Sequence, residues 1–408
     1  MKKLDKLDKF ELIDIVHKAK CGKLKNLDTA GLTKEQLIEH LYNSKCPEVH
    51  NMIVEITELK DDLSQFIDKY IEAGKDLTVE QIYYEGMQET IMSVFFYDVW
   101  KNKRYDCVLH NSNQHNYYKF GFDFSFDRAP TEMSAVMKYI GDKIDICRLH
   151  KDIKIIAIPI FFKTSPISAH ANAIIYRVDS NTFERFEPHG SRARFDYVSD
   201  EYEGIKNKIE GYSKQYHALR TEQREKPRKN KDYNEKAEKL IAMVKKLEIK
   251  AQYHKYKMND TLDEHLSKYF TKVLPKLNKN FKGAKYITSD VVTSALYGIQ
   301  HFEGKEIIQK YSLTREQYIE RIGGFCVLWS IMYFDLVFRF PKATPAILNK
   351  ALLDLLEKKG EFAFGELALG YLQGFKKHID GFLGKTDYSD ATKRKNLLKD
   401  LEHFIIMS

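Results

Sequence analysis

An α+β fold is predicted for this chain of 408 residues on three observations. Strand signals are confined to the middle of the sequence: a β-branched run from Ile153 to Phe162, then a hairpin from His170 to Pro188. Helical periodicity precedes them through Leu12, Ile13 and Val16 and through Met52, Ile53, Ile56 and Leu59, and helices return beyond residue 300. The stretch from Phe325 to Phe338, interrupted by Asp335, is so uniformly apolar that its helix must be buried.

Composition sets the outer bounds. With 43% hydrophobic and 13% aromatic residues the chain can build one large core or two ordinary ones. Disorder over most of the length is excluded, as are the collagen-like, coiled-coil and low-complexity classes. Neither long apolar run reaches the roughly 18 residues of a spanning helix. Lys2, Lys3, Asp5 and Lys6 open the chain without an apolar leader, so a soluble protein with no membrane partner and no secretory signal is expected. The cysteines Cys21, Cys46, Cys107, Cys147 and Cys326 are odd in number and widely spaced, which argues for a reducing compartment and against a disulfide framework.

Along the chain, residues 1–45 read as a small helical unit: an apolar face at Leu12, Ile13 and Val16, a turn from Gly22 to Leu32, and a capping box of Thr33 with Gln36 ahead of Leu37, Ile38 and Leu41. The pattern from Gly31 to Leu41 resembles the second half of a SAP motif, a DNA-associated module, with Lys18, Lys20, Lys23 and Lys25 as phosphate contacts. An ordinary helical hairpin with solvated lysines is the alternative. Residues 46–105 read as mostly helical, including Ile91, Val94 and Phe95, and from about Asn116 the alternation of Phe120, Phe122, Phe124 and Phe126 marks a strand.

The hairpin strands flank a turn at Asp179, Ser180 and Asn181. Residues 206–257 hold 16 Lys or Arg against 7 Asp or Glu, so the whole positive excess of the chain (+8) lies in this stretch. Leu240, Ile241, Val244 and Leu247 make it a long basic helix inserted in the main fold, approached flexibly near Arg224 to Asn230; it is either a solvated face or a surface for nucleic acid or another acidic partner. Beyond Ser289 an extended piece from Asp290 to Leu296 is expected before Tyr297-Gly298-Ile299-Gln300, and after Cys326 the chain continues in helices, first broken at Pro341 and Pro345.

Cys326 follows Gly323, Gly324 and Phe325 and falls in the first turn of the apolar helix, where unpaired N–H groups and the helix dipole favour a thiolate. A buried structural cysteine is the bland reading. His170 begins one hairpin strand and Glu187 ends the other, so an imidazole and a carboxylate that can fix its tautomer share a neighbourhood. With a three-residue loop, strict alternation puts them on opposite faces, and a bulge or another register is required.

The ordered set of His170, Glu187 within Phe186-Glu187-Pro188-His189-Gly190, and Cys326 within Gly324-Phe325-Cys326-Val327-Leu328-Trp329-Ser330 resembles the adenain and Ulp1-like cysteine proteases, which include capsid-maturation proteases of large DNA viruses. The resemblance covers roughly residues 150–340. It implies a papain-like or adenain-like core, a central mixed sheet with a buried Cys-bearing helix, carrying added N-terminal and C-terminal helices. The domains are then a SAP-like module in 1–45 and a protease domain in 46–408 with the basic insertion 206–257. It also implies acyl transfer by Cys326, with His170 as base, Glu187 as its orienter and a glutamine as oxyanion donor.

The compact relatives place that glutamine six or seven residues before the cysteine, where Glu320 and Ile319 stand here; Gln300 is the choice and Gln317 the fallback. Ala171 stands where the relatives carry a tryptophan. The implied activity is cleavage of viral structural precursors at glycine-containing sites, in virions or host cytoplasm. No cofactor or metal is required, DNA or another polyanion is a possible activator, and nucleic acid is met through 1–45 and 206–257. A ubiquitin-like-protein isopeptidase and a non-enzymatic DNA-associated protein are the alternatives. So is a zinc site from the two pairs Cys107-x-x-His110 and Cys147-x-x-His150.

Overall fold

A computed structural model describes residues 4–19, 21, 24, 26–77, 107–109, 121–124, 130–165, 168–190, 200–225, 230–293, 298–314, 317–318 and 325–383. In chain order the main elements are α1 (Lys9–Lys18), α2 (Lys34–Asn43), α3 (Pro47–Gly74), β1 (Cys107–Val108), β2 (Phe122–Asp123), α4 (Pro130–Arg148), β3 (Ile155–Ser165), β4 (Ser168–Arg177) and β5 (Thr182–Phe186). They continue with α5 (Asp200–Glu225), α6 (Asn230–Lys268), β6 (Lys285–Ile287), α7 (Ile299–Lys310), α8 (Cys326–Arg339), α9 (Pro345–Lys359) and α10 (Ala363–Leu383). The architecture is α+β, as the sequence predicts, and the chain divides into two compact units.

One unit takes residues 99–291 and 295–301. Its six-stranded mixed sheet has the order β1-β3-β4-β5-β6, with β2 also paired to β3. β3, β4 and β5 run antiparallel in succession, whereas β1 and β2 lie parallel to β3 and β6 parallel to β5. One sheet face presents Ile156, Ile158 and Ile160 of β3, Ile174 and Tyr176 of β4 and Phe183 of β5, and it packs on Met133, Met137, Ile140 and Ile144 of α4 and on Leu262 and Leu266 near the end of α6. The period-2 alternation of strands puts these residues together and carries the same face on to His170, Asn172, Arg185 and Glu187. The hydrophobic face therefore turns polar at one end.

The basic stretch is two helices, α5 and α6, packed on each other; residues 226–229, which hold most of the expected flexible approach, lie outside the described residues. Ion pairs one turn apart, Lys214 to Glu210 at 2.7 Å and Lys239 to Glu235 at 2.9 Å, line the hairpin's surface.

The other unit takes residues 1–98, 292–294 and 302–407. The expected helix pair of 1–45 is present as α1 and α2, and the capping box of Thr33 and Gln36 is formed in full. α3 packs along α10 at two glycines, where a Cβ on Gly370 would strike the carbonyl oxygen of Tyr70 and one on Gly74 that of Glu366. α8 is buried from Cys326 to Phe338. The helix expected around Ile91, Val94 and Phe95, the strand positions Phe120 and Phe126, and Gly323 and Gly324 lie outside the described residues. No helix among the described residues is long and apolar enough to cross a membrane.

Two expectations are corrected. Four of the five cysteines are paired, Cys21 with Cys46 and Cys107 with Cys147, with Cα atoms 6.3 and 6.1 Å apart. Count and spacing say nothing of which distant thiols the fold brings within bonding reach. The extended piece expected over Asp290 to Leu296 begins instead as a short helix, Ser289–Thr293. Its N-terminus is capped from elsewhere in the chain: Asp263 Oδ2 accepts from the Ser289 N–H at 3.1 Å and from its hydroxyl at 2.8 Å. A run of five residues is too short for periodicity to reveal it.

Candidate active site

β4 and β5 are joined by four residues, Val178 to Asn181, and the register runs from Arg177 opposite Thr182 to Ala173 opposite Phe186. Asn181 supplies the left-handed conformation the connection needs, with φ of 49°. The Tyr176 hydroxyl donates to Asn181 Oδ1 at 3.0 Å and fixes the loop. One residue beyond the expected three shifts the register by one, which brings Glu187 onto the face of His170 without a bulge in this pair. A register shift does occur, but between β3 and β4, at Lys163 to Ser165.

His170 Nε2 and Glu187 Oε1 are 2.8 Å apart, and both side chains are buried. Glu187 Oε1 also accepts from the His189 N–H at 3.0 Å, and Oε2 accepts from Arg185 Nη2 at 3.2 Å. Burial by itself would raise the Glu187 carboxyl, but the charge and hydrogen bond of His170, with Arg185 and His189, outweigh it and hold the group at about 2. Glu187 is thus a carboxylate at neutral pH. His189 is pushed down to about 3 by burial and by the neighbouring charge of His170, so its ring is neutral.

The imidazole packing partner left open by Ala171 is now visible. Phe162, directly across the β3–β4 ladder, meets the His170 ring edge-on at 5.2 Å, and the His189 ring lies on it at 5.1 Å.

The Phe-Glu-Pro-x-Gly element is a tight turn, closed by the Gly190 N–H donating to the Glu187 carbonyl at 3.0 Å, with proline at the second position where its fixed φ suits the bend. Gln300 is docked on this turn. The Gly298 N–H donates to the His189 carbonyl at 2.8 Å and the Gln300 N–H to the Pro188 carbonyl at 3.0 Å. The approach is so close that a Cβ on Gly298 would collide with the backbone of Pro188, His189 and Gly190. Gln300 is buried, and its Oε1 has no hydrogen-bond partner among the described residues. Gln317 is engaged locally, since it and Thr314 cap each other through backbone N–H groups at 2.8 and 3.2 Å.

Cys326 belongs to the other unit, as the first residue of α8. It keeps its thiol and is buried. Phe325 precedes it without a capping side chain, so the first-turn N–H groups of α8 are not taken by a cap residue.

Sequence reasoning missed Arg185, Asp263, Asn172 and Glu303. Arg185 Nε donates to Asn172 Oδ1 at 2.8 Å, and Nη1 pairs with Asp263 Oδ1 at 3.2 Å. A charged residue between Phe183 and Phe186 in a core strand was a usable signal for Arg185; Asp263 offered none. Glu303, within the unit of Cys326, accepts from the Tyr318 hydroxyl at 3.0 Å and from Trp329 Nε1 at 3.4 Å, and burial pushes its carboxyl up to about 8.

Among the described residues, the one group arranged to hold a metal is Cys21, Cys46 and Glu48, whose two sulfurs are joined to each other. The Cys107 and Cys147 sulfurs of the expected zinc pairs are likewise joined, and His110 lies outside the described residues. Comparison with protein-family models, curated proteins and solved structures finds no match.

Proposed function

We propose that the protein is a cysteine endopeptidase in which Cys326, His170, Glu187 and Gln300 act together. The observation that carries this reading is the buried His170–Glu187 pair, whose carboxylate is ionised and held at both oxygens. With Nε2 engaged by Glu187, the ring exchanges its proton through Nδ1. A carboxylate that fixes one nitrogen of a histidine and stabilises its charged form is what a thiol nucleophile needs for ionisation at neutral pH.

In the reaction the Cys326 thiolate attacks a peptide carbonyl carbon, and the carbonyl electron pair moves to oxygen. The Gln300 amide and the N–H groups at the start of α8 receive that oxyanion. The His170 imidazolium gives its proton to the departing amine as the C–N bond breaks. Water, deprotonated by His170, then attacks the thioester, and the acid product leaves as the thiol is restored. Gln300, docked through its backbone N–H on the Pro188 carbonyl next to Glu187, offers its side-chain NH2 as that donor. No cofactor takes part.

The substrates in this reading are structural precursor proteins with glycine beside the scissile bond, in a viral particle or the infected cell, and nucleic acid binds α5, α6 and the helix pair of residues 1–45. The test is incubation of wild-type protein and Cys326→Ala with glycine-containing peptides and with a ubiquitin-like conjugate, each with and without DNA. Peptide cleavage that requires Cys326 and rises with DNA is expected. Cleavage of the conjugate alone transfers the reading to an isopeptidase. Activity indifferent to Cys326 overturns it in favour of a non-enzymatic role.

A further inference from the structure

The buried charges behind the dyad do not stop at Arg185. Its guanidinium is fully buried; Nε donates to Asn172 Oδ1 at 2.8 Å, Nη2 donates to Glu187 Oε2 at 3.2 Å, and Nη1 forms an ion pair with Asp263 Oδ1 at 3.2 Å. An arginine set against Glu187 alone would orient the carboxylate but also neutralise it. The imidazolium of His170 would then be an uncompensated buried cation. Asp263 changes this balance. Two carboxylates and one guanidinium leave one negative charge, and protonated His170 completes a neutral buried set.

Asp263 is held in place. Besides its ion pair with Arg185, it accepts hydrogen bonds from the Tyr286 hydroxyl at 2.7 Å and from the N–H and hydroxyl of Ser289 at 3.1 and 2.8 Å. Among the described residues, the other titratable groups that face the cluster are Tyr286 from β6, raised well above its ordinary value by burial, His189 from the turn, held neutral, and His301 from α7, which is exposed. None of these supplies the missing negative charge.

We propose that Asp263 is a positioning residue of the dyad: it offsets the Arg185 charge, so that the guanidinium can fix the orientation of Glu187 while the Glu187 charge stays committed to His170. This rests on the peptidase reading for its catalytic meaning, but its measurement does not. The His170 imidazole is titrated by NMR in the full-length protein, which reads the ring whether or not any peptide is cut.

Asp263→Asn, nearly isosteric, lowers the proton affinity of His170 about tenfold, one unit of titration. Asp263→Glu leaves it near wild type. Tyr286→Phe and Ser289→Ala, which remove hydrogen bonds to Asp263 but no charge, also leave it unchanged; a purely structural role for Asp263 would not separate these variants from Asp263→Asn. The double variant Arg185→Gln, Asp263→Asn removes both charges and returns the titration toward wild type. It remains the deciding measurement if Asp263→Asn fails to fold. A His170 titration unmoved in folded Asp263→Asn, or displaced tenfold in the double variant, overturns the proposal. Absent peptide cleavage with the titrations as expected overturns the peptidase reading instead.

Discussion

His170 Nε2 meets Glu187 Oε1 at 2.8 Å across the β4–β5 hairpin, and the Phe162 ring braces the imidazole from the neighbouring strand. The pair is solvent-shielded and its acid is clamped at both oxygens, so the ring orientation is fixed and Nδ1 is the nitrogen that exchanges protons in the proposed reaction. This arrangement, more than any single residue, makes the expected behaviour of variants specific.

Cys326→Ala and His170→Ala should each lower kcat/KM on a cleaved peptide by about 10³-fold or more, with little further loss in the double variant, because nucleophile and base act as a unit. Alkylation of Cys326 by iodoacetamide near pH 6 gives an independent reading. It should slow in His170→Ala and remain unchanged in Gln317→Ala.

Gln300→Ala should cost about 10² to 10³ in kcat with KM nearly unchanged, the signature of a donor used in the transition state. Gln317→Ala should not. Equal effects of the two would reject the assignment of the oxyanion donor.

Gly298→Ala forces a methyl group into the backbone of the turn from Pro188 to Gly190. A loss of about 1 to 3 kcal/mol in stability is expected from such overpacking, together with a kcat defect like that of Gln300→Ala. A melt and a progress curve on the same sample check both.

Glu303 gives a pH test with a definite sign. Its folded carboxyl holds its proton up to about 8 against an ordinary value of 4.5. Between those values the folded state binds more protons than the unfolded one, so stability falls as pH rises, at no more than about 1.4 kcal/mol per pH unit from this group. Glu303→Gln should flatten that decline in melts from pH 5 to 8. A slope identical to wild type counts against the buried acid.

Replacing the exposed Lys236, Lys239, Lys245 and Lys246 of α6 with Gln should weaken binding to duplex DNA of any sequence. The slope of log affinity against log salt should fall by roughly 0.9 for each phosphate that the protein ceases to neutralise. An unchanged slope would reserve DNA binding for another surface.

The fold class was legible because it rests on periodicity, which the strands of 153–188 and the apolar helix at Cys326 display strongly. His170 and Glu187 could be named as neighbours, but their common face could not be derived. It depends on whether the connection holds three residues or four, and both lengths fit the Asp-Ser-Asn turn. Arg185 and Asp263 were harder still. Their partnership joins a strand to a helix end 78 residues later, and no local pattern encodes a tertiary ion pair. The disulfides escaped for the same reason.

The length of the connection from Val178 to Asn181 is consequently a chemical parameter. Deleting one residue there would alter no reactive atom and leave the composition of both strands intact, yet it would turn the carboxylate of residue 187 away from the imidazole it serves. At this bend the number of residues, before their kind, decides whether the two side chains share a face.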